Sequence, residues 1–206
     1  MVRKLFVSLF LLGFFANFSA ATAEIKLYSR VVEIRKYSDE RLTADVSRGY
    51  VEWSRDKNYY GAIAVNVEED AYSYWSGLHS LDSVVKYVIA DCEGIAKKPC
   101  KLYAVMVPKD FPKNTLKGGG LSLVATKEFK NYLSDHVKGK HSAFAISGIG
   151  TFGFSWEYDS KEEAVSAASY QCEGYTDIDL AGFDKAQRDM AQDLGLTTCK
   201  IIDTRN

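Results

Sequence analysis

The chain has 206 residues, with 26 lysines and arginines, 27 aspartates and glutamates and a formal net charge of −1, so no basic excess marks it for nucleic acid or an anionic membrane. Only three histidines are present to serve as general bases, whereas aromatic residues reach 13% and are the compositional feature that asks for an explanation.

Residues 1–23 have the three-part layout of a secretory signal peptide. Arg3 and Lys4 precede an apolar run broken only by Ser8 and Gly13, and small residues end in Ala21-Thr22-Ala23, an A-x-A site before Glu24. The run is shorter than the roughly 20 residues of a membrane span, and no comparable run follows. The expected product is exported, periplasmic or secreted from a bacterium, with no membrane span in the mature protein. Losing two basic and no acidic residues moves its net charge to −3. The remainder is long enough to bury about 70% of its unfolded surface, as one domain or two small ones in close contact.

An N-terminal extension, 24–58, carries a β-branched stretch at 27–34 and the cluster Tyr50, Val51 and Trp53, which fit two strands or a strand and a helix. The next segment, 59–108, reads as strand (61–67), polar turn, strand (71–76), helix and strand (101–107). Ser80 is placed to cap that helix, and Val84, Val85, Val88, Ile89 and Cys92 form its apolar stripe. The spacer, 109–140, holds the triple glycine Gly118-Gly119-Gly120 and a helical pattern at 126–137 with Phe129, Tyr132 and Leu133 on one face. A phosphate loop needs a glycine-lysine-serine or threonine ending, and Gly120 leads instead into Leu121-Ser122-Leu123, so the glycines read as a flexible turn.

The last segment, 141–206, repeats the plan. Strands at 143–147 and 151–157 flank Gly148-Ile149-Gly150, suiting a tight hairpin. Ser160 with Glu163 fits a capping box. A further helix is expected over 183–194, closed by Gly195. Asp177 and Asp179 suggest a calcium loop only briefly, because Ala181 and Arg188 occupy ligand positions.

These two segments match residue by residue. Ala62-Ile63-Ala64 answers to Ala143-Phe144-Ala145 at an offset of 81, and Tyr72 and Tyr74 answer to Phe152 and Phe154 at an offset of 80. Cys92-Glu93-Gly94 then matches Cys172-Glu173-Gly174, and Cys100-Lys101-Leu102 answers to Cys199-Lys200-Ile201. The expected fold is α+β: two β-β-α-β pseudo-repeats, mainly antiparallel and stapled by disulfides. Four cysteines in an oxidising compartment allow three pairings. Equivalent positions favour Cys92 with Cys100 and Cys172 with Cys199, and the rival joins the copies as Cys92 with Cys172 and Cys100 with Cys199.

Gly61-Ala62-Ile63-Ala64, the run Gly150-Thr151-Phe152-Gly153-Phe154 with Ser155-Trp156, the helix start Ser160/Glu162/Glu163/Ala164 and the helix-terminal cysteine followed by Cys-Lys and a strand resemble exported bacterial proteins of the domain of unknown function 4189 family. The stretch Lys98-Pro99-Cys100-Lys101-Leu102-Tyr103-Ala104-Val105 is similar to its tandem, two-copy form. The resemblance covers about half of the mature chain. It implies export and a small α+β unit, and it brings no activity or catalytic residues.

No catalytic or metal site and no cofactor is expected. The chain lacks G-x-S-x-G, H-E-x-x-H and a strand-linked G-x-G-x-x-G. The aromatics Tyr72, Tyr74, Trp75, Phe154 and Trp156 are instead candidates for a binding surface, against the plainer reading that they are cross-strand packing pairs. The first expectation is a non-enzymatic protein-interaction module for another exported protein. The second is a cell-wall glycan binder, recognisable by a groove with Trp75 or Trp156 flanked by carboxylates and amides. The third, an unrecognised enzyme, requires a pocket joining His79 or His141 to a carboxylate.

Overall fold

The computed structural model describes residues 25–206, and the leader expected at 1–23 lies outside the described residues. In chain order the elements are β1 (Val32–Lys36), α1 (Ala44–Arg55), β2 (Gly61–Asn66), β3 (Ala71–Trp75), α2 (Leu81–Ala96), β4 (Lys101–Pro108), α3 (Leu123–Ser134), β5 (His141–Ile146), β6 (Phe152–Tyr158), α4 (Lys161–Ala181), α5 (Lys185–Asp193) and β7 (Lys200–Arg205). The strands form two antiparallel sheets, ordered β1-β4-β2-β3 and β6-β5-β7. The structure is thus mixed helix and antiparallel sheet, as the strand and helix patterns lead one to expect.

Each sheet alternates its side chains between two helices, because successive residues of a strand face opposite ways. In the first sheet Ala62, Ala64, Val105 and Val107 meet Leu81, Val84, Val88 and Cys92 of α2, while Ile63, Val65, Tyr103 and Met106 meet Val46 and Trp53 of α1. In the second, Ala143 and Ala145 meet Ala164, Ala168 and Cys172 of α4, and Phe144 meets Ala125, Phe129 and Tyr132 of α3. The extension at 24–58 therefore supplies the fourth strand and outer helix of the first sheet, and the spacer supplies the outer helix of the second.

The strand registers follow the offsets read from the sequence. Ile63 faces Tyr74 and Phe144 faces Phe154; Val65 faces Tyr72 and Ile146 faces Phe152. The pairing with the third strand slips between Ile63 and Ala64 in one sheet and between Phe144 and Ala145 in the other. Disulfides join Cys92 to Cys100 and Cys172 to Cys199, with Cα atoms 6.1 and 6.2 Å apart. The first ties the last turns of α2 to the start of β4, and the second ties the middle of α4 to the start of β7.

Local signals set the helix starts. Ser80 and Ser160 accept hydrogen bonds from the amides of Ser83 (3.3 Å) and Glu163 (3.2 Å), which satisfies donors that a helix start leaves unpaired. The Glu163 carboxylate accepts from the Ser160 hydroxyl at 2.9 Å instead of reaching the backbone. A reciprocal capping box forms at Asp184 and Gln187, ahead of α5. The spacer helix begins three residues before its predicted start because Ser122 caps it, accepting from the Ala125 amide at 3.3 Å.

The triple glycine is a docked strap, a correction to its reading as a flexible turn. Leu81 donates its amide to the Gly118 carbonyl (2.9 Å), and Gly120 donates to the His79 carbonyl (3.0 Å). A Cβ on Gly119 would stand 2.8 Å from the Ser80 Cα, so a side chain there would push the strap off the start of α2. The seam between the units is also polypeptide on polypeptide, with Gly150 so near the first unit that a Cβ there would overlap the Gly77 carbonyl oxygen. Helix α5 closes it, since Ala191 and Met190 pack into the core built on α2.

Candidate functional site: a cleft at the seam of the two units

The five aromatics singled out in the sequence separate by strand face. Tyr72 and Tyr74 stack on each other, 6.2 Å apart and nearly parallel, against the core beneath α1. Gly49 of α1 stands over Tyr72 so closely that a Cβ there would lie 2.6 Å from the ring Cζ. Phe154 and Trp156, 4.5 Å apart, pack beneath α3, and the Trp156 Nε1 is buried without a partner. These four rings are packing pairs and do not form a free platform. Trp75 follows Tyr74 and so turns to the opposite face, where it meets Tyr87 (4.6 Å) and Phe183 (5.0 Å) edge-on.

Trp75 also lines a cleft of about 480 Å³ at the seam. The first unit contributes Trp75, Ser76 and Gly77 at the end of β3, with Asn58 beside them. The second contributes Thr151 and Phe152 at the start of β6, and Tyr175 and Asp179 from α4, with Phe183 just beyond it. Ser122 and Val124 complete the wall where α3 begins. The size lies within the usual range of small-ligand sites, and the mixture of aromatic walls with a few polar groups is their usual composition.

Two polar groups of the lining are left as acceptors. The Asn58 Oδ1 is buried and has no hydrogen-bond partner. The Ser76 hydroxyl gives its proton to Asp56, leaving lone pairs toward the cleft. Asp179 is the charged lining residue, and among the described residues no lysine, arginine or histidine lines the cleft. Partial burial raises the carboxyl pKa of both Asp179 and Asp56 above the ordinary value.

His79 lies beneath this site and is buried. Its Nδ1 accepts the Ser122 amide at 3.0 Å, which leaves the proton on Nε2 to be donated to the Thr151 carbonyl at 3.3 Å. Burial lowers its pKa to about 4, so the ring is neutral. Standing in the first unit, it holds two lining residues of the other side, Ser122 at the start of α3 and Thr151 before β6, and with both nitrogens engaged by backbone it has no capacity left for acid–base work. A ladder of hydroxyls holds the opposite wall: Ser147 to Thr151 and Thr151 to Thr176, each 2.6 Å, with Thr176 donating to the Cys172 carbonyl at 2.9 Å.

The other histidines are elsewhere. His136 Nδ1 is 3.1 Å from the Ser142 hydroxyl, and His141 borders a small depression with Lys161 and Arg205. Among the described residues no group of three or more histidines, cysteines or acids is placed to hold a metal ion, and no helix is long and apolar enough to cross a membrane. Of the cleft residues, sequence reasoning singled out Trp75 alone as a binding residue. Asn58, Tyr175, Asp179 and Phe183 carry no motif; their only shared signal is spatial, because they come from an extension, a helix end and an insertion. Comparison with protein-family models, curated proteins and solved structures returns no match to this chain.

Proposed function

We propose that this chain is an exported, non-enzymatic binding module of the bacterial envelope, a tandem member of the domain of unknown function 4189 family, whose seam cleft takes cell-wall glycan. The single observation carrying the ligand reading is the company Trp75 keeps: a ring set in a cleft between Phe183, an amide from Asn58 and a carboxylate from Asp179. Sugar rings present apolar faces to aromatic side chains and hydroxyls to neighbouring acceptors, and such a cleft offers both. Export is supported by the leader layout of residues 1–23 and by the two disulfides. The matched strand registers support an internal duplication.

Sedimentation of the oxidised protein with purified peptidoglycan sacculi tests the reading. Binding is expected to fall at least about tenfold in both Trp75→Ala and Tyr175→Ala, the second of which alters a half-exposed ring and leaves the core untouched. Retention unchanged in both variants would overturn it. The first expectation from the sequence, a protein partner, is favoured by a different observation: Tyr170, Tyr175 and Ile178 stand outward on α4, at 80%, 49% and 66% exposure. A protein still captured after the glycan is digested, and lost on Tyr170→Ser, would move the assignment there.

A further inference from the structure

We infer that the cleft selects glycan carrying free, protonated amines, that is, de-N-acetylated amino sugars, over neutral N-acetylated glycan. This rests on the glycan reading above and adds the charge of the ligand.

Three features converge on a cation. The first is the lining itself, in which Asp179 is the charged group and, among the described residues, no cationic side chain takes part. Asp179 makes no ion pair among the described residues, and the guanidinium of Arg188 is held to the Phe183 carbonyl. The second is helix α4, whose carboxyl-terminal turn carries Asp179 and no basic residue. The negative end of its backbone dipole therefore adds to the carboxylate at the same wall. The third is the aromatic lining. Trp75, Phe152, Tyr175 and Phe183 surround the space, and ring faces attract an ammonium group, Trp most strongly.

Hydrogen-bond accounting agrees. Asn58 Oδ1 lacks a donor, and the Ser76 hydroxyl has spent its proton on Asp56. An ammonium brings three donors and no acceptor, the complement of such a wall. Burial already holds the Asp179 and Asp56 carboxyls above their ordinary pKa, the behaviour of acids that lack a cation nearby. An anionic ligand would meet the same groups as repulsion.

Titration of the full oxidised protein, read by tryptophan fluorescence and calorimetry, compares β-1,4-linked glucosamine tetramer with its fully N-acetylated counterpart. At about pH 6, below the usual amine range, the glucosamine tetramer is expected to bind at least about tenfold more tightly. The preference should shrink in about 0.5 M salt, where exposed charges are screened, and vanish in Asp179→Asn, which keeps the side-chain shape. Equal binding of the two tetramers, or a preference that survives Asp179→Asn, overturns the amine inference and leaves the glycan reading standing. Absence of binding by either tetramer, with sacculi also unbound, overturns both.

Discussion

On the first sheet α2 meets the strands through Val84, Val88, Cys92 and the ring of Trp75; on the second α4 meets them through Ala164, Ala168 and Cys172 over Gly153 and Ser155. The strand registers correspond, with Ala62 facing Trp75 in one unit and Ala143 facing Ser155 in the other. What differs is side-chain volume at corresponding places. Small residues let α4 settle onto its sheet until its backbone touches Gly153, where a Cβ would come within 3.0 Å of the Gln171 Cβ and overlap the backbone of Ala168 and Cys172. At the matching place in the first unit, Ser73 instead donates to Asp91 at 2.6 Å. Trp75, standing where the second unit has Ser155, projects from β3 against Tyr87 of α2 and becomes a wall of the cleft. One topology thus serves as a close-packed clamp in one half and as a wall of the cleft in the other.

The sharpest way to break this comparison is to add volume where the second unit has none. Gly153→Val should destabilise the protein by at least about 3 kcal/mol in urea unfolding, because the obstruction is helix backbone that cannot rotate away. At the matching site, Ser73→Ala should cost less, about 2 kcal/mol, the worth of one hydrogen bond to a carboxylate. Comparable losses at the two sites would mean that the helices sit at similar heights.

The disulfides are expected to differ in the same direction. They close loops of sequence separation 8 and 27. In the chain-entropy model, replacing Cys172 and Cys199 by serine costs about 3.5 kcal/mol, against about 2.5 for Cys92 and Cys100. Urea unfolding of each double variant checks the order. The reverse order would show that native packing around the first bridge outweighs loop length.

His79 ties the units together and gives a pH signature. Its folded-state pKa, about 4, lies below the ordinary value of 6.5, so the unfolded chain takes up the proton first. The stability it confers is complete above about pH 6.5 and is lost as the pH falls toward 4, amounting to about 2 kcal/mol between pH 7 and pH 4.5. Urea unfolding at those two pH values should show the loss, and His79→Asn should lose less between them despite a lower starting stability. An equal decline in the variant would assign the acid sensitivity to other groups.

These comparisons also show what the sequence made legible. Strand alternation, serine caps and the doubled cysteine pattern are local or periodic, and they carried the order of elements, both helix starts and the pairing of equivalent cysteines. The roles of α1 and α3 as outer helices were not legible, because neither belongs to the repeated pattern and both are recruited by the apolar faces of Ile63, Val65, Phe144 and Phe154. The cleft was least legible. Trp75 was grouped with Tyr72 and Tyr74 by proximity, although a period of two already sends it to the other face. Asp179 was weighed as a calcium ligand because its immediate neighbours were the only context available, whereas its partners in the cleft are distant in the chain.

The smallest effect offers the finest test of how the two units differ at their helix starts. Ser80 and Ser160 cap in the same way, and replacing either by alanine should cost about 1 kcal/mol. Glycine ordinarily costs only a few tenths at this position, since water can reach the freed amide in place of the hydroxyl. That holds for Ser160, whose surroundings are exposed. It should fail for Ser80, where the glycine strap lies across the helix start through the paired Ser80 and Gly119 and the bonds of Gly118 and Gly120. Ser80→Gly is therefore expected to cost nearly as much as Ser80→Ala, while Ser160→Gly stays within a few tenths of the parent protein in urea unfolding. Near-neutral glycine at both sites would mean that water reaches the first cap as freely as the second, and that the strap contributes contact to α2 without drying its amino-terminal turn.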